Sequence, residues 1–276
     1  MASKALVVLS GGQDSTTCLH WALAQSFDEV RAVAFDYGQK HVIELEAATK
    51  IAKDAGVPLE IVNLGPILAG TSPLTNPDEQ LEQYEDGVLP GGLEKTFVPM
   101  RNQLFLTIAA NRAYVMGATN LVTGVCEADN GGYPDCRRNF IDALETAINR
   151  GTFTGEAGTI PPLKIHTPLM LLSKAQSVDL ALRLNGAYSA LAWSHTAYDG
   201  AYPPLGSDHA TVLRAQGFEE AGVPDPLILR AACEGLMELP ASSNYDVARE
   251  VTKAGPKGKA KSWTSREFVA LVEEAL

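Results

Sequence analysis

The chain has 276 residues, 46% of them hydrophobic and 20% charged, with a formal net charge of −11. That length suits one large α/β domain or two small ones with a sizeable core, and the composition is ordinary for a globular protein. An acidic surface repels nucleic acid, so no direct nucleic-acid binding is expected, and no apolar run is long enough to cross a bilayer. The cysteines Cys18, Cys126, Cys136 and Cys233 are scattered without a C-x-x-C pair, which suits reduced thiols in a cytoplasm. Met1 leads within a few residues into an apolar run, which is not the pattern of a signal peptide.

That first run, residues 5–9, is short, apolar and β-branched, and predicts a strand buried on both faces as in a parallel sheet. It breaks into Ser10-Gly11-Gly12-Gln13-Asp14-Ser15 and then an apolar helix through Leu23. Strand, glycine turn and helix N-terminus together present unpaired N–H groups and a positive dipole end to one point, an anion site. Ser10 and Ser15 add hydroxyls. The loop lacks the lysine of G-x-x-x-x-G-K-[ST] and is too short for G-x-G-x-x-G. Asp14 repels a bare phosphate unless a cation lies between them, which points to pyrophosphate with magnesium.

A second strand is predicted over 30–35, ending at Asp36-Tyr37-Gly38, then a helix from about 42 to 55 stopped at Gly56-Val57-Pro58, and a third strand over 59–64. This rhythm argues for a doubly wound, mostly parallel sheet. From 65 to about 95 the pattern dissolves into a long loop, a common form for lids and binding segments. A helix is expected over about 103–116, a buried strand over 121–125, and then the polar cluster 126–129, where ligands sit off the carboxyl ends of strands. A turn at 131–137 leads into a helix to about 149. A short strand is read near 164–169, followed by a helix capped by Ser173 with Lys174 in its first turn. Residues 188–207 read as irregular, 211–217 as a short helix, and the tail beyond about 235 as a lysine-bearing, Gly/Pro-broken segment before a final helix near Thr264.

The S-G-G-x-D-S loop opening the first βα unit resembles the PP-loop of the ATP pyrophosphatases, which cleave ATP between its α and β phosphates. Four stretches together are similar to the 7-cyano-7-deazaguanine synthase (QueC) family: S-G-G-Q-D-S-T-T-C-L from Ser10, F-D-Y-G-Q from Phe35, F-V-P-x-R-N from Phe97, and T-G-V-C-E-x-D-x-x-G-Y-P-D-C-R from Thr123. The resemblance continues through T-P-L at Thr167 and L-R-A-x-G-F at Leu213, covering roughly 4–235. It implies an adenine nucleotide α-hydrolase-like α/β fold with a small irregular or helical C-terminal part. The corresponding division is a nucleotide-binding domain at 1–185, a C-terminal subdomain at 186–235 and an extension at 236–276.

The activity implied is an ATP- and Mg²⁺-dependent ligase, in the cytoplasm and as a homodimer, making a nitrile from a deazaguanine carboxylate and ammonia through adenylated intermediates. Leu9, Ser10, Gly11, Gly12, Gln13, Asp14, Ser15, Thr16 and Phe35 are then the nucleotide-binding residues. Asp14, Ser15, Arg101 and Lys174 are the catalytic candidates, with Arg101 able to present a planar guanidinium to phosphate or carboxylate. Arg101, Asn102, Glu127, Asp129, Tyr133, Asp135 and Arg137 are the substrate candidates. Cys126 and Cys136 are nucleophile types, yet buried structural thiols are the commoner case and ammonia is the nucleophile here. His41 has nucleotide contact and simple solvation as its two readings; His166 and His195 read as packing or capping residues.

The chain departs from the family pattern at the C-terminal structural zinc. Ala197, Leu205, Asp208 and Thr211 occupy the four usual cysteine positions. Alanine and leucine cannot ligate zinc, so none is expected there, and apolar packing with Leu205 is expected in its place. Met100 stands where the family tends to have glycine, with a narrowed pocket or an altered turn as the expected consequence, and Gln176 replaces an acidic residue. Two other functions stay open: a paralogue that forms an amide or another conjugate, for DNA modification or defence, and a non-catalytic nucleotide-binding protein.

Overall fold

Strands β1 (Lys4–Val8), β2 (Glu29–Asp36), β3 (Leu59–Asn63), β4 (Asn120–Val122) and β5 (Lys164–His166) form one parallel sheet in the order β3-β2-β1-β4-β5. The architecture comes from a computed structural model that describes residues 2–39, 43–76, 78–127, 132–153, 161–255 and 263–276. Because successive side chains point to opposite faces, β1 feeds two cores. Leu6, with Val33 and Phe35, packs on Leu106, Ala109 and Ile141 of helices α3 (Arg101–Met116) and α4 (Arg138–Ile148). Val7 and Leu9, with Ala32 and Ala34, pack on Leu19, Ala48 and Ile51 of α1 (Gln13–Ala24) and α2 (Ile43–Asp54). The unbroken apolar run at 5–9 is the sequence consequence of burial on both sides.

Beyond the sheet, α5 (Lys174–Arg183) opens on a capping box formed by Ser173 and Gln176, so the residue that departs from the family pattern closes the cap. The C-terminal third is more helical than its composition suggests. It contains α6 (Ala187–Leu191), α7 (His209–Glu220), α8 (Pro226–Cys233), α9 (Asp246–Ala254) and α10 (Ser265–Ala275). These segments share a third core in which Tyr188, Phe218, Leu229, Tyr245, Phe268 and Val272 are buried together. Short helices of this kind are held by packing rather than by propensity, which is why the region reads as irregular from sequence.

Two boundaries differ from expectation for local reasons. The fourth strand stops at Val122 rather than near 125, because Gly124 passes against the backbone of Asp14 and Ser15: a Cβ there would lie 3.0 Å from the Asp14 carbonyl carbon. The chain therefore leaves the sheet to line the loop after β1. Helix α3 starts at Arg101, two residues early, and Met100 before it sits in the left-handed region at φ 64°, the one described non-glycine residue with positive φ. Its side chain is 60% exposed and does not line the cavity described below, so the altered turn, not a narrowed pocket, is what this position holds.

A left-handed L-residue costs about 1–2 kcal/mol, partly offset by the greater freedom a glycine brings to the unfolded chain. Met100→Gly is therefore expected to stabilise the protein by roughly 0.5–1 kcal/mol, read as a rise in the urea midpoint at unchanged slope; a fall in the midpoint would contradict it.

Candidate active site

In a doubly wound sheet the loops after the two central strands diverge and leave a crevice. Here it lies off the ends of β1 and β4, a cavity of about 420 Å³, within the range of about 300–1,000 Å³ usual for small-molecule sites. Its floor is the loop after β1. Gly11 has φ 88°, and a Cβ there would fall 2.2 Å from the Glu44 carbonyl oxygen, so only glycine fits against the first turn of α2. Gly12 caps α1 without a side-chain hydrogen bond, leaving the first-turn N–H groups open to an anion. The two serine hydroxyls lie 3.1 Å apart, and Ser15 Oγ both accepts from Ser10 N–H (3.2 Å) and donates to the Gly12 carbonyl (3.1 Å).

Of the nucleotide candidates, Leu9, Ser10, Gly12, Gln13, Asp14, Ser15 and Phe35 line the cavity. Gly11 and Thr16 do not: Gly11 faces α2, and the buried Thr16 returns its hydroxyl to the Gly12 carbonyl at 2.8 Å. Asp14 Oδ2 accepts from Lys174 Nζ at 2.9 Å, which brings α5 onto the loop. Among the described residues the second Asp14 oxygen, Oδ1, is buried with no hydrogen-bond partner, and so is Gln13 Nε2. An orphaned carboxylate oxygen beside an open helix N-terminus is a donor set that fits a divalent cation arriving with phosphate.

Arg101 faces these groups from α3. Burial opposes its charge, but the phenol oxygens of Tyr37, Tyr198 and Tyr133 raise its basicity above the ordinary value, so it remains a cation. Burial in turn pushes the phenols of Tyr37, Tyr198 and Tyr133 up, keeping them neutral. Asn102, Glu127, Tyr133 and Arg137 also reach the cavity, with Tyr133 OH 2.7 Å from Thr96 Oγ1. Asp135 does not line it. This carboxylate is buried and accepts the Asn102 N–H at 3.2 Å, tying the turn at 134–136 to the start of α3. Asp129 and His41 lie outside the described residues. The thiols also hold structure, Cys126 donating to the Leu172 carbonyl (3.2 Å) and Cys136 accepting from Asn102 Nδ2 (3.3 Å).

The residues that reading the sequence missed include Glu44, His195, Tyr198 and His209, all of which line the cavity. Glu44 carries no local signal, because a carboxylate in the first turn of a helix is what the dipole favours anyway. His195 reads as packing, and it does bind backbone: its Nε2 pairs with the Ala197 carbonyl at 2.7 Å.

A sequence profile described as "Queuosine biosynthesis protein QueC" matches residues 4–222. The chain belongs to the QueC family. It is 51% identical over 228 residues to the 7-cyano-7-deazaguanine synthase of Gloeobacter violaceus, covering 81% of this chain and 95% of that protein. The proteins of the same name from Chromobacterium violaceum (51% over 237 residues, 84% and 95%) and Laribacter hongkongensis (52% over 229 residues, 83% and 95%) are similarly close.

The four positions at which the sequence resemblance places cysteines take an unexpected form. Leu205 is 70% exposed, so it does not replace the metal by apolar packing. The buried Asp208 is the hub instead. Its Oδ1 accepts the N–H groups of Ala210 (3.0 Å) and Thr211 (3.1 Å), and its Oδ2 accepts Thr211 Oγ1 (2.9 Å) and Tyr198 N–H (3.3 Å). Those four donors occupy the carboxylate's lone pairs, and among the described residues no group of three or more His, Cys, Asp or Glu is placed to hold a metal. The residues present do not fit a structural zinc. The loop between β3 and α3 docks beside the hub, with Ser207 N–H donating to Gln83 Oε1 at 2.9 Å and Gln216 Nε2 to the Gly87 carbonyl at 2.7 Å.

A buried clamp joins this region to the phosphate loop. Arg214 makes a two-pronged pair with Asp225 (2.6 and 2.8 Å) and donates to Ser194 Oγ (2.7 Å) and Thr196 Oγ1 (2.8 Å). Between those two residues, His195 N–H donates to the Gly11 carbonyl at 2.9 Å. Removing one partner of such a pair leaves an uncompensated buried charge. Arg214→Met is therefore expected to cost about 3–5 kcal/mol in urea unfolding, and the double change Arg214→Met with Asp225→Leu to recover much of the loss. A loss under about 1 kcal/mol, the size of a surface pair, would show the clamp to be incidental.

Proposed function

We propose that this chain is an ATP-dependent ligase converting 7-carboxy-7-deazaguanine and ammonia to 7-cyano-7-deazaguanine, in queuosine and 7-deazapurine biosynthesis. The observation that carries this reading is one cavity containing both the pyrophosphate loop and the Tyr133–Arg137 turn of the family. Identity of 51% or more across 95% of each named synthase supports it.

The chemistry sets what the cavity must do. Turning a carboxylate into a nitrile removes both oxygens, and neither leaves as oxide or hydroxide at neutral pH. Each oxygen is therefore transferred to the α-phosphate of ATP, expelling pyrophosphate, and departs as AMP. In our reading Ser10, Ser15 and the N–H groups of Gly12 and Gln13 cradle the pyrophosphate, backed by Leu9, Gly11 and Thr16, while Phe35 packs beside the nucleotide. Lys174 balances phosphate charge and Arg101 orients the substrate carboxylate with its planar fork. Asn102, Glu127, Tyr133 and Arg137 contact the deazaguanine, with Asp135 holding their turn. Mg²⁺, when bound, supplies charge neutralisation for the departing pyrophosphate, and Asp14 would hold it. Among the described residues no helix is long and apolar enough to cross a membrane. We place the enzyme in the cytoplasm as a homodimer, without zinc.

Mass spectrometry of products from the deazaguanine acid, ATP, Mg²⁺ and ammonia is expected to show the nitrile and two AMP per product. A product stalled at the amide would favour the paralogue. Asp14→Ala is expected to lower turnover by at least about 100-fold, the scale for losing one preorganised electrostatic group; unchanged substrate-dependent AMP formation would remove Asp14 from the mechanism. Elemental analysis is expected to find no stoichiometric zinc, and a chelator to leave the thermal midpoint unchanged; zinc bound in proportion to chain would overturn the hub's role.

A further inference from the structure

Ammonia at neutral pH is mostly ammonium, which has no lone pair to attack an acyl group. An enzyme that uses it needs a proton acceptor beside the reacting carbon. Among the described residues three carboxylates line the cavity: Asp14, Glu127 and Glu44. Asp14 is paired with Lys174, and Glu127 accepts the Arg138 N–H at 3.1 Å. Glu44 stands apart. It projects from the first turn of α2, whose backbone is in contact with Gly11, so its position is set by the phosphate loop itself. Its carboxyl faces Arg101, the residue read above as holding the substrate carboxylate.

We propose that Glu44 is the catalytic base of this site, taking protons from ammonium and then from the amide nitrogen. The inference rests on the ligase reading above. In the first half, Glu44 accepts one proton from ammonium, and the freed lone pair forms the C–N bond at the acyl-adenylate carbon. The C–O bond to AMP breaks with its electron pair leaving on the phosphate oxygen, and the extra N–H proton passes to solvent. In the second half the amide oxygen attacks the α-phosphate of another ATP and pyrophosphate leaves. Glu44 has by then returned its first proton to solvent; the nitrogen loses both hydrogens, one to Glu44 and one to solvent, as the C–O bond to AMP breaks and the C≡N bond forms. No oxidant or reductant is needed.

The surroundings suit the role. Burial raises the Glu44 carboxyl above the ordinary glutamate value while the Arg101 charge pulls the other way. A base of raised affinity is better matched to an N–H proton near neutral pH. The titratable groups that face it among the described residues are Arg101 on α3, Tyr37 after β2 and Tyr198 ahead of Asp208. Both phenols are held neutral, so neither competes as a base.

The test compares two nucleophiles, ammonium chloride and hydroxylamine, which is uncharged at neutral pH. Glu44→Gln is expected to lower kcat/KM for ammonia by about 100-fold, the lower end for losing a general base. Activity should recover as pH rises and free ammonia accumulates, and hydroxamate formation from hydroxylamine should stay near wild type. Equal losses with both nucleophiles and an unshifted pH profile would reduce Glu44 to a structural neighbour of Arg101 and overturn the proposal. Glu44→Asp, which keeps the carboxylate, is expected to retain the wild-type pH dependence at reduced rate, and serves if the glutamine variant does not fold. A wild-type protein that forms neither amide nor nitrile would overturn the ligase reading and this inference with it; a working wild type with equal losses overturns this inference alone.

Discussion

One backbone hydrogen bond, from His195 N–H to the Gly11 carbonyl, joins the two halves on which the cavity depends. On one side of Gly11 lies α2, so close that no side chain fits between them. On the other lies the 194–196 segment, clamped by Arg214 and Asp225. The phosphate loop is thus gripped from both faces before any ligand arrives. Preorganised N–H groups stabilise developing charge better than groups that must reorient during reaction. The C-terminal helices, remote in sequence, are part of the site's framework because they supply that second grip.

The electrostatics run against the chain's net charge. A protein of formal charge −11 builds its cavity around the partly buried Arg101, Lys174 and the open end of α1. Tyr37, Tyr133 and Tyr198 contribute polar but uncharged walls, since burial keeps their phenols protonated. Of the three anionic members, Asp14 and Glu44 each face one of those cations, and Glu127 accepts the Arg138 N–H. The result is a pocket of balanced charge in which an anionic nucleotide and an anionic acid can be held together without the surface as a whole attracting polyanions.

The four positions where the family resemblance places cysteines are held together by a different chemistry. A tetrahedral zinc ties four segments by thiolate bonds, whereas Asp208 ties its neighbours by accepting four hydrogen bonds, one of them from the backbone of Tyr198. Because Tyr198 also faces Arg101, the hub reaches the cavity wall directly. Leucine at 205 suggested apolar replacement, but an exposed leucine contributes nothing to a core; the aspartate, whose N-cap geometry meets backbone donors, carries the contact.

Much was determined by local sequence. The run at 5–9, the glycine pair and Asp14 announce a buried strand and an anion loop, because strand burial and left-handed glycine are short-range properties. The capping box at Ser173 and the helix stop at Gly56 are of the same kind. The F-D-Y-G-Q and Gly-Tyr-Pro-Asp-Cys-Arg stretches carried the family, although not which of their side chains face the cavity: Asp135 turns inward to α3 while Tyr133 and Arg137 turn out. Tertiary structure alone decided that α6, α8 and α9 are helices, that Glu44 and His195 meet the phosphate loop, and that Tyr198 faces Arg101 across the cavity. Those outcomes depend on contacts between residues tens to hundreds of positions apart, and no window of sequence contains both partners of such a contact.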